Sequence, residues 1–450
     1  MNIKRIVLTI VNLTVLCLIL SCENKTNSSQ NSEPETTTIQ TLDNYLNQHF
    51  ENGEFSGVVV VADDQSILYE GAYGFTSFET KEPLALDSRF AIGSVSKTFC
   101  AASILKLHET GKLNVDDPVQ KYIELFPETE FTIRQLLLHE SGIPRFRYGN
   151  PNASLEELFK EIENDPFLFQ PGLGQNYSNE GYNLLAYIVE KVSGTSYSDF
   201  LKEHFFKPLN MDNSGVLPYD SPKIAEGHSI SPDGPKRAGQ NDFKYMVGSG
   251  SNYADIYDLL KWTRAFSQSK VIDLSKLDYP FGWGTFKTND FVQNWDMSQG
   301  IHQSGLVSGY SAYTSSYPQD ELYILFLTNV SSGFFNIAQE DIRDIWFGNS
   351  FRQPYKIDSN GLTMEEMADY VGNYETEDEF PFKVKIKDGA LYIEWSGGAY
   401  DDVLLSPVSK DGFLNRSDFT MNTFHRNNKG EITGFTISIK ETKLECFKIE

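Results

Sequence analysis

Ser94-Val-Ser-Lys97 stands where a short strand-like run, Arg89-Phe-Ala-Ile, turns through Gly93 straight into an apolar helix. From Ser94 onward Val95, Phe99, Ala102, Leu105 and Leu107 recur at roughly helical spacing, and Gly111 supplies a stop. Ser94 therefore opens a helix, and Lys97, one turn on, shares its face. A serine hydroxyl is a weak nucleophile until a neighbouring base takes its proton. A lysine one turn away can do so once desolvation or nearby positive charge lowers its pKa from the free value of about 10.4. The helix N-terminus adds a field that favours negative charge developing on the serine oxygen.

The same spacing occurs as Ser103-Ile-Leu-Lys106 and Ser267-Gln-Ser-Lys270, but neither has the strand, glycine and helix setting. Further on, Tyr177-Ser-Asn179 lies in Gln170-Pro-Gly-Leu-Gly-Gln-Asn-Tyr-Ser-Asn-Glu-Gly-Tyr182, ahead of an apolar helix from Leu184 to Val192 and the stop Ser193-Gly194. A tyrosine on such a turn can project into a cleft while Pro171, Gly172 and Gly181 shape the backbone. Tyr45-Leu-Asn47 and Tyr148-Gly-Asn150 repeat the spacing without those flanks. Gln303-Ser-Gly305 follows at a long interval. The ordered trio resembles the S-x-x-K, Y-x-N and K-T-G or H-x-G motifs of the serine β-lactamase and penicillin-binding-protein superfamily.

The resemblance implies an α+β fold, a mixed antiparallel sheet flanked by helices, with the site between the sheet and a helical lobe. It makes Ser94 the nucleophile, lets Lys97 and Tyr177 share the general acid and base role, and has Asn179 orient Lys97 and the substrate. Gln303, Ser304 and Gly305 become substrate-binding positions, and the backbone N–H groups of Ser94 and Leu306 an oxyanion hole. The third motif departs from the family: with the glycines aligned, Gln303 occupies the usual lysine or histidine position and His302 stands one residue early. Adjacent strand residues point to opposite faces, so only a bulge brings both into the cleft. Glutamine offers only neutral hydrogen bonds there.

Other segments extend the resemblance from about Ile39 to about Asn349. Ser56 to Gly74 reads as two strands joined at Asp63-Asp64-Gln65. Thr132-Ile-Arg-Gln-Leu-Leu-Leu-His139-Glu-Ser-Gly-Ile-Pro144 is similar to the family's helix-to-loop segment, with His139 as a structural hydrogen-bonding residue. Lys207-Pro-Leu-Asn-Met211, Gly248-Ser-Gly250 before a helix capped by Asp255, and Tyr279-Pro-Phe-Gly-Trp283 also recur in relatives.

Beyond about Phe351 short alternating strands take over, with turn signals such as Lys387-Asp-Gly389, Lys410-Asp-Gly412 and Asn427-Asn-Lys-Gly430. They read as a small antiparallel barrel or sandwich over 360–450, resembling the lipocalin-like domain appended to many β-lactamase-related hydrolases. The 450 residues thus divide into two domains behind a leader.

That leader, residues 1–21, has a basic start at Lys4-Arg5 and an apolar run from Ile6 to Leu20. Its ending, Ile19-Leu20-Ser21-Cys22, resembles a bacterial lipobox, which implies cleavage before Cys22, lipid on that cysteine and anchoring at the cell envelope. Residues 22–38 are polar and are expected to form a disordered tether before a hydrolase domain over 39–350. Cys100 and Cys446 fall in different domains, so no disulfide is expected. A net charge of -24 argues against nucleic-acid binding. No residue cluster has metal-ligand spacing, and no metal or cofactor is implied. The reading is an envelope-anchored serine hydrolase acting on a small-molecule or peptide-like ester or amide through an acyl-enzyme on Ser94. A β-lactamase or D-alanyl-D-alanine carboxypeptidase is the alternative within the class. The alternative outside it is a non-catalytic, penicillin-binding-like sensor.

Overall fold

Gly57–Asp63 (β1) carries four consecutive valines, and all seven of its residues are buried. A strand reads as an unbroken apolar run when both its faces are covered. In the computed structural model Val58, Val60 and Ala62 enter one hydrophobic core while Val59 and Val61 enter another, one on each side of the sheet. The structure describes residues 36–147, 153–220, 222–272, 295–296, 300–358, 361–395, 402–439 and 442–449. The leader, Cys22, most of the expected tether and the Tyr279 to Trp283 segment lie outside the described residues. The first described helix, α1 (Thr36–Glu51), begins ahead of the expected domain start at 39.

β1 hairpins into β2 (Ile67–Tyr73), as the polar turn required. The helices α2 (Ser96–Glu109), α3 (Asn179–Ser193) and α4 (Ile256–Ser267) follow. As expected, Asp255 caps α4 by accepting the Asp258 N–H, and Gly194 ends α3 in the left-handed conformation. The sheet is completed by β3 (Trp295–Asp296), β4 (Gly300–Val307), β5 (Tyr310–Tyr317) and β6 (Leu322–Thr328). It runs β3-β4-β5-β6-β1-β2, antiparallel throughout. α1 and α5 (Phe334–Trp346) cover the Val59 face, and α2, α3 and α4 the Val58 face. α2 is buried almost all round, which makes it the central helix of the lobe.

The C-terminal region is a barrel and not a sandwich. β7 (Gly372–Thr376), β8 (Pro381–Lys387), β9 (Ala390–Trp395) and β10 (Val403–Ser409) each pair with the next strand. So do β11 (Gly412–Asn415), β12 (Thr420–Arg426), β13 (Ile432–Ile439) and β14 (Thr442–Ile449), and β14 closes the ring onto β7. Tyr374, Phe382, Phe424, Phe435 and their neighbours fill the interior, as eight strands allow.

The turn between β11 and β12 docks onto the sheet domain. The Gly333 N–H donates to the Arg416 carbonyl at 2.7 Å. The Arg416 guanidinium donates to the Asn52 carbonyl and lies 3.6 Å from the Glu54 carboxylate, with Arg416 only 5% exposed. Glu54 in turn bonds His49 at 2.7 Å, and the Phe419 ring packs 5.5 Å from the His49 ring.

Candidate active site

Ser94 lies on a 3-10 turn, Gly93–Val95, just before α2 and not in its first α-helical turn. Gly93 has a positive φ of 50°, the left-handed region that suits a residue without a Cβ. That kink presses the serine turn against β4 with no space between: a Cβ on Gly305 would sit 2.0 Å from the Ile92 carbonyl and 2.8 Å from the Ser94 nitrogen. A Cβ on Gly93 would sit 2.7 Å from the Leu306 nitrogen. Two facing glycines thus bring the backbone of Ser94 beside that of Leu306, a residue 41% exposed.

The Ser94 hydroxyl meets the Tyr177 hydroxyl at 2.6 Å and Lys97 Nζ at 3.2 Å. Tyr177 reaches it from the loop preceding α3, whose N-cap Ser178 accepts the Gly181 N–H. Asn179, the first residue of that helix, accepts from Lys97 Nζ through Oδ1 at 2.8 Å. The Ser249 carbonyl accepts from the same ammonium at 2.8 Å. Lys97 is 1% exposed, so these contacts replace its water shell. Asn179 Oδ1 and the Ser249 carbonyl can only accept. When Lys97 is neutral they hold its two hydrogens and leave the lone pair directed at Ser94 Oγ.

Neither rival serine has this tyrosine and lysine pair among the described residues, although Ser267 Oγ meets the Tyr323 hydroxyl at 3.2 Å. Ser103 Oγ donates to the Phe99 carbonyl within α2, and Ser267 Oγ donates to the Arg264 carbonyl. Burial pushes the Cys100 thiol up to about 12, which leaves it inert beside the site. Tyr45 is committed to Asp341, and the Tyr148 motif lies outside the described residues. His139 accepts the Ser178 N–H at Nδ1. Burial, then the charge of Lys97, hold its pKa down at about 3, so its ring is neutral.

In the third motif the β4 to β5 register runs without a bulge, pairing His302 with Ser315 and Gln303 with Thr314. Strand alternation therefore decides the faces. Gln303 lies on the Gly305 side, 4% exposed, with Oε1 lacking a partner among the described residues. His302 lies on the opposite side, with Nδ1 3.1 Å from the Tyr313 hydroxyl and its ring 5.2 Å from that of Tyr317. Burial, then the Arg343 charge, lower its pKa to about 4. Ser304, paired with Tyr313, shares that far face of the strand.

The Ser249 carbonyl is the participant that sequence reasoning did not identify. Gly248-Ser-Gly250 stood out, but a main-chain acceptor leaves no side-chain signature. Among the described residues no group of three or more His, Cys, Asp or Glu side chains could hold a metal ion.

Comparison with known proteins places this geometry. A family model described as "Beta-lactamase" matches residues 42–345, and one described as "Domain of unknown function (DUF3471)" matches residues 359–447. Penicillin-binding protein 4* of Bacillus subtilis (strain 168) is 28% identical over 395 residues, covering 77% of this chain and 85% of that protein. The octameric penicillin-binding protein homologue from Pyrococcus abyssi superposes with a TM-score of 0.60 at 21% identity, over 90% of this chain and 99% of that one. A D-amino acid amidase from Ochrobactrum anthropi SV3, solved with L-phenylalanine, gives 0.56 at 19% identity, over 69% and 98%.

Proposed function

The chain belongs to the β-lactamase family of serine hydrolases, and we propose that it cleaves an ester or amide through an acyl-enzyme on Ser94. The observation that carries this is the continuous proton path Tyr177 Oη to Ser94 Oγ to Lys97 Nζ, at 2.6 and 3.2 Å. Neutral Lys97 takes the hydroxyl proton as Oγ attacks the carbonyl carbon. The N–H groups of Ser94 and Leu306 receive the oxyanion. Tyr177 Oη gives its own proton to the leaving oxygen or nitrogen as that group's bond to the acyl carbon breaks. Water, deprotonated by the same pair, then attacks the ester on Ser94, and the serine regains its proton.

Incubation with a fluorophosphonate and, separately, a fluorescent penicillin, followed by intact mass and peptide mapping, tests this. A phosphonyl adduct on the Ser94 peptide, with turnover of simple esters, supports it. Labelling without turnover favours the sensor, and an unlabelled Ser94 overturns the assignment.

Substrate charge follows from Gln303. Charge-assisted hydrogen bonds contribute roughly 1.5–3 kcal/mol against about 1 for neutral pairs. Neutral esters or amides should thus exceed matched carboxylate-bearing substrates in kcat/KM, and Gln303→Lys should narrow the gap by about tenfold. His302→Ala should leave the ratio unchanged, since His302 lies on the far face of the strand. A wild-type preference for the carboxylate would refute this.

We propose also that the chain is a lipoprotein, anchored through Cys22 at the cell envelope. The lipobox-like Ile19-Leu20-Ser21-Cys22 and the polar segment after it support this. Cys22→Ser should release the protein from the membrane fraction or block its processing. Wild-type protein carrying no lipid on Cys22 by mass spectrometry would contradict it.

A further inference from the structure

Tyr177 is a loop residue, yet its hydroxyl must stay within hydrogen-bond reach of Ser94, and a displacement of about 1 Å can cost about 10²-fold in rate. The two peptide N–H groups flanking it end on the same residue. Asn176 N–H donates to the His139 carbonyl at 2.9 Å, and Ser178 N–H donates to His139 Nδ1 at 3.0 Å. Between those two bonds the imidazole lies against the phenol ring, centroids 4.8 Å apart and planes 30° from parallel. Tyr182 packs on His139 as well, at 5.0 Å.

Residues on either side of His139 hold the same loop. Gln175 Nε2 donates to the Leu138 carbonyl at 3.0 Å, and Gly172 N–H to the Glu140 carbonyl at 2.9 Å. His139 itself has a positive φ of 60°, a conformation costly for most residues with a side chain.

We propose that His139 is a positioning residue for Tyr177, gripping the backbone on both sides of the tyrosine and setting the plane of its ring; this rests on the acyl-enzyme reading above. The role needs a lone pair at Nδ1, because a peptide N–H can only donate. It therefore needs the neutral ring that burial enforces.

The chemistry of the grip selects the variants. Asn Oδ1 occupies the place of His Nδ1, and asparagine tolerates the left-handed backbone. Phe keeps the ring without the acceptor, Ala removes both, and Gln carries its oxygen at the place of Nε2. In steady-state hydrolysis of an activated ester, His139→Ala and His139→Phe should lose about 10- to 100-fold in kcat with KM little changed. His139→Asn should recover most of that loss.

The decisive arm is a double-mutant cycle with Tyr177→Phe. If His139 acts through Tyr177, adding His139→Ala to Tyr177→Phe costs less than about twofold more. Equal costs in the two backgrounds, or wild-type kcat in His139→Phe, overturn the proposal. Should the Ala and Phe variants fail to fold by circular dichroism, His139→Asn against His139→Gln decides, and equal kcat in those two overturns it. Activity surviving in Ser94→Ala would instead defeat the acyl-enzyme reading, an outcome separate from an additive cycle.

Discussion

Ser94→Ala is expected to lower kcat by on the order of 10⁴-fold or more, and Lys97→Ala by a comparable factor, because nucleophile and base act as one unit. Ser94 Oγ is the atom on which the Tyr177 and Lys97 contacts converge, and no other described hydroxyl shares that pair. Removing Lys97 also strands two acceptors, Asn179 Oδ1 and the Ser249 carbonyl. Some loss of thermal stability should therefore accompany the loss of rate in Lys97→Ala, about 1–3 kcal/mol for the buried Ser249 carbonyl left unpaired and less for the partly buried Asn179. Ser94→Ala should melt near the wild type. Ser103→Ala should keep its rate within about twofold, since its hydroxyl only back-bonds to its own helix. Rates on an activated ester with melting curves check all three. Activity retained in Ser94→Ala and lost in Ser103→Ala or Ser267→Ala would show that another serine is the nucleophile.

Gly305→Ala should cost about 10²- to 10³-fold in kcat, the scale of losing one oxyanion donor. A methyl group there would lie 2.0 Å from the Ile92 carbonyl and 2.8 Å from the Ser94 nitrogen, both main-chain atoms. Backbone cannot swing aside as a side chain can, so β4 or the serine turn must retreat. The retreat would separate the Ser94 and Leu306 N–H groups proposed to receive the developing negative charge. Ser304→Ala, one residue away but on the far face of the strand, should change the rate by less than about threefold. Similar losses at both positions would mean that strand integrity, and not the approach of β4 to Ser94, is what the glycine protects.

Much of this is legible in the sequence. The setting of Ser94 singles it out from two rival serines, and the polar turn at Asp63-Asp64-Gln65 marks the hairpin of β1 and β2. What the sequence could not carry was information held in main-chain atoms and in pairings far apart along the chain. Ser94 sits on a 3-10 turn because the close approach of Gly93 and Gly305 tightens the helix entry, a contact between residues more than two hundred positions apart. The Ser249 carbonyl and both bonds to the amides flanking Tyr177 involve backbone groups that any residue possesses. Whether His302 or Gln303 entered the cleft hung on a bulge, and only the uninterrupted register settles it. A sandwich and a barrel share the same alternating strands. The difference is the pairing of β14 with β7, which no local pattern encodes.

The docked turn between β11 and β12 bears on how such a chain can be shuffled over evolutionary time. Arg416 is the cation facing Glu54 in a nearly dry pocket, and Glu54 belongs to the sheet domain. Without Arg416, Glu54 keeps His49 and Asn52 at Oε2 but loses the cation nearest Oε1, and a buried carboxylate short of a partner is costly. A gene fusion that replaced the barrel with another module would therefore inherit a defect unless the newcomer brought a basic residue to the same spot or Glu54 changed with it. The two domains have hydrophobic cores of their own, and this one contact gives a reason for them to be inherited together.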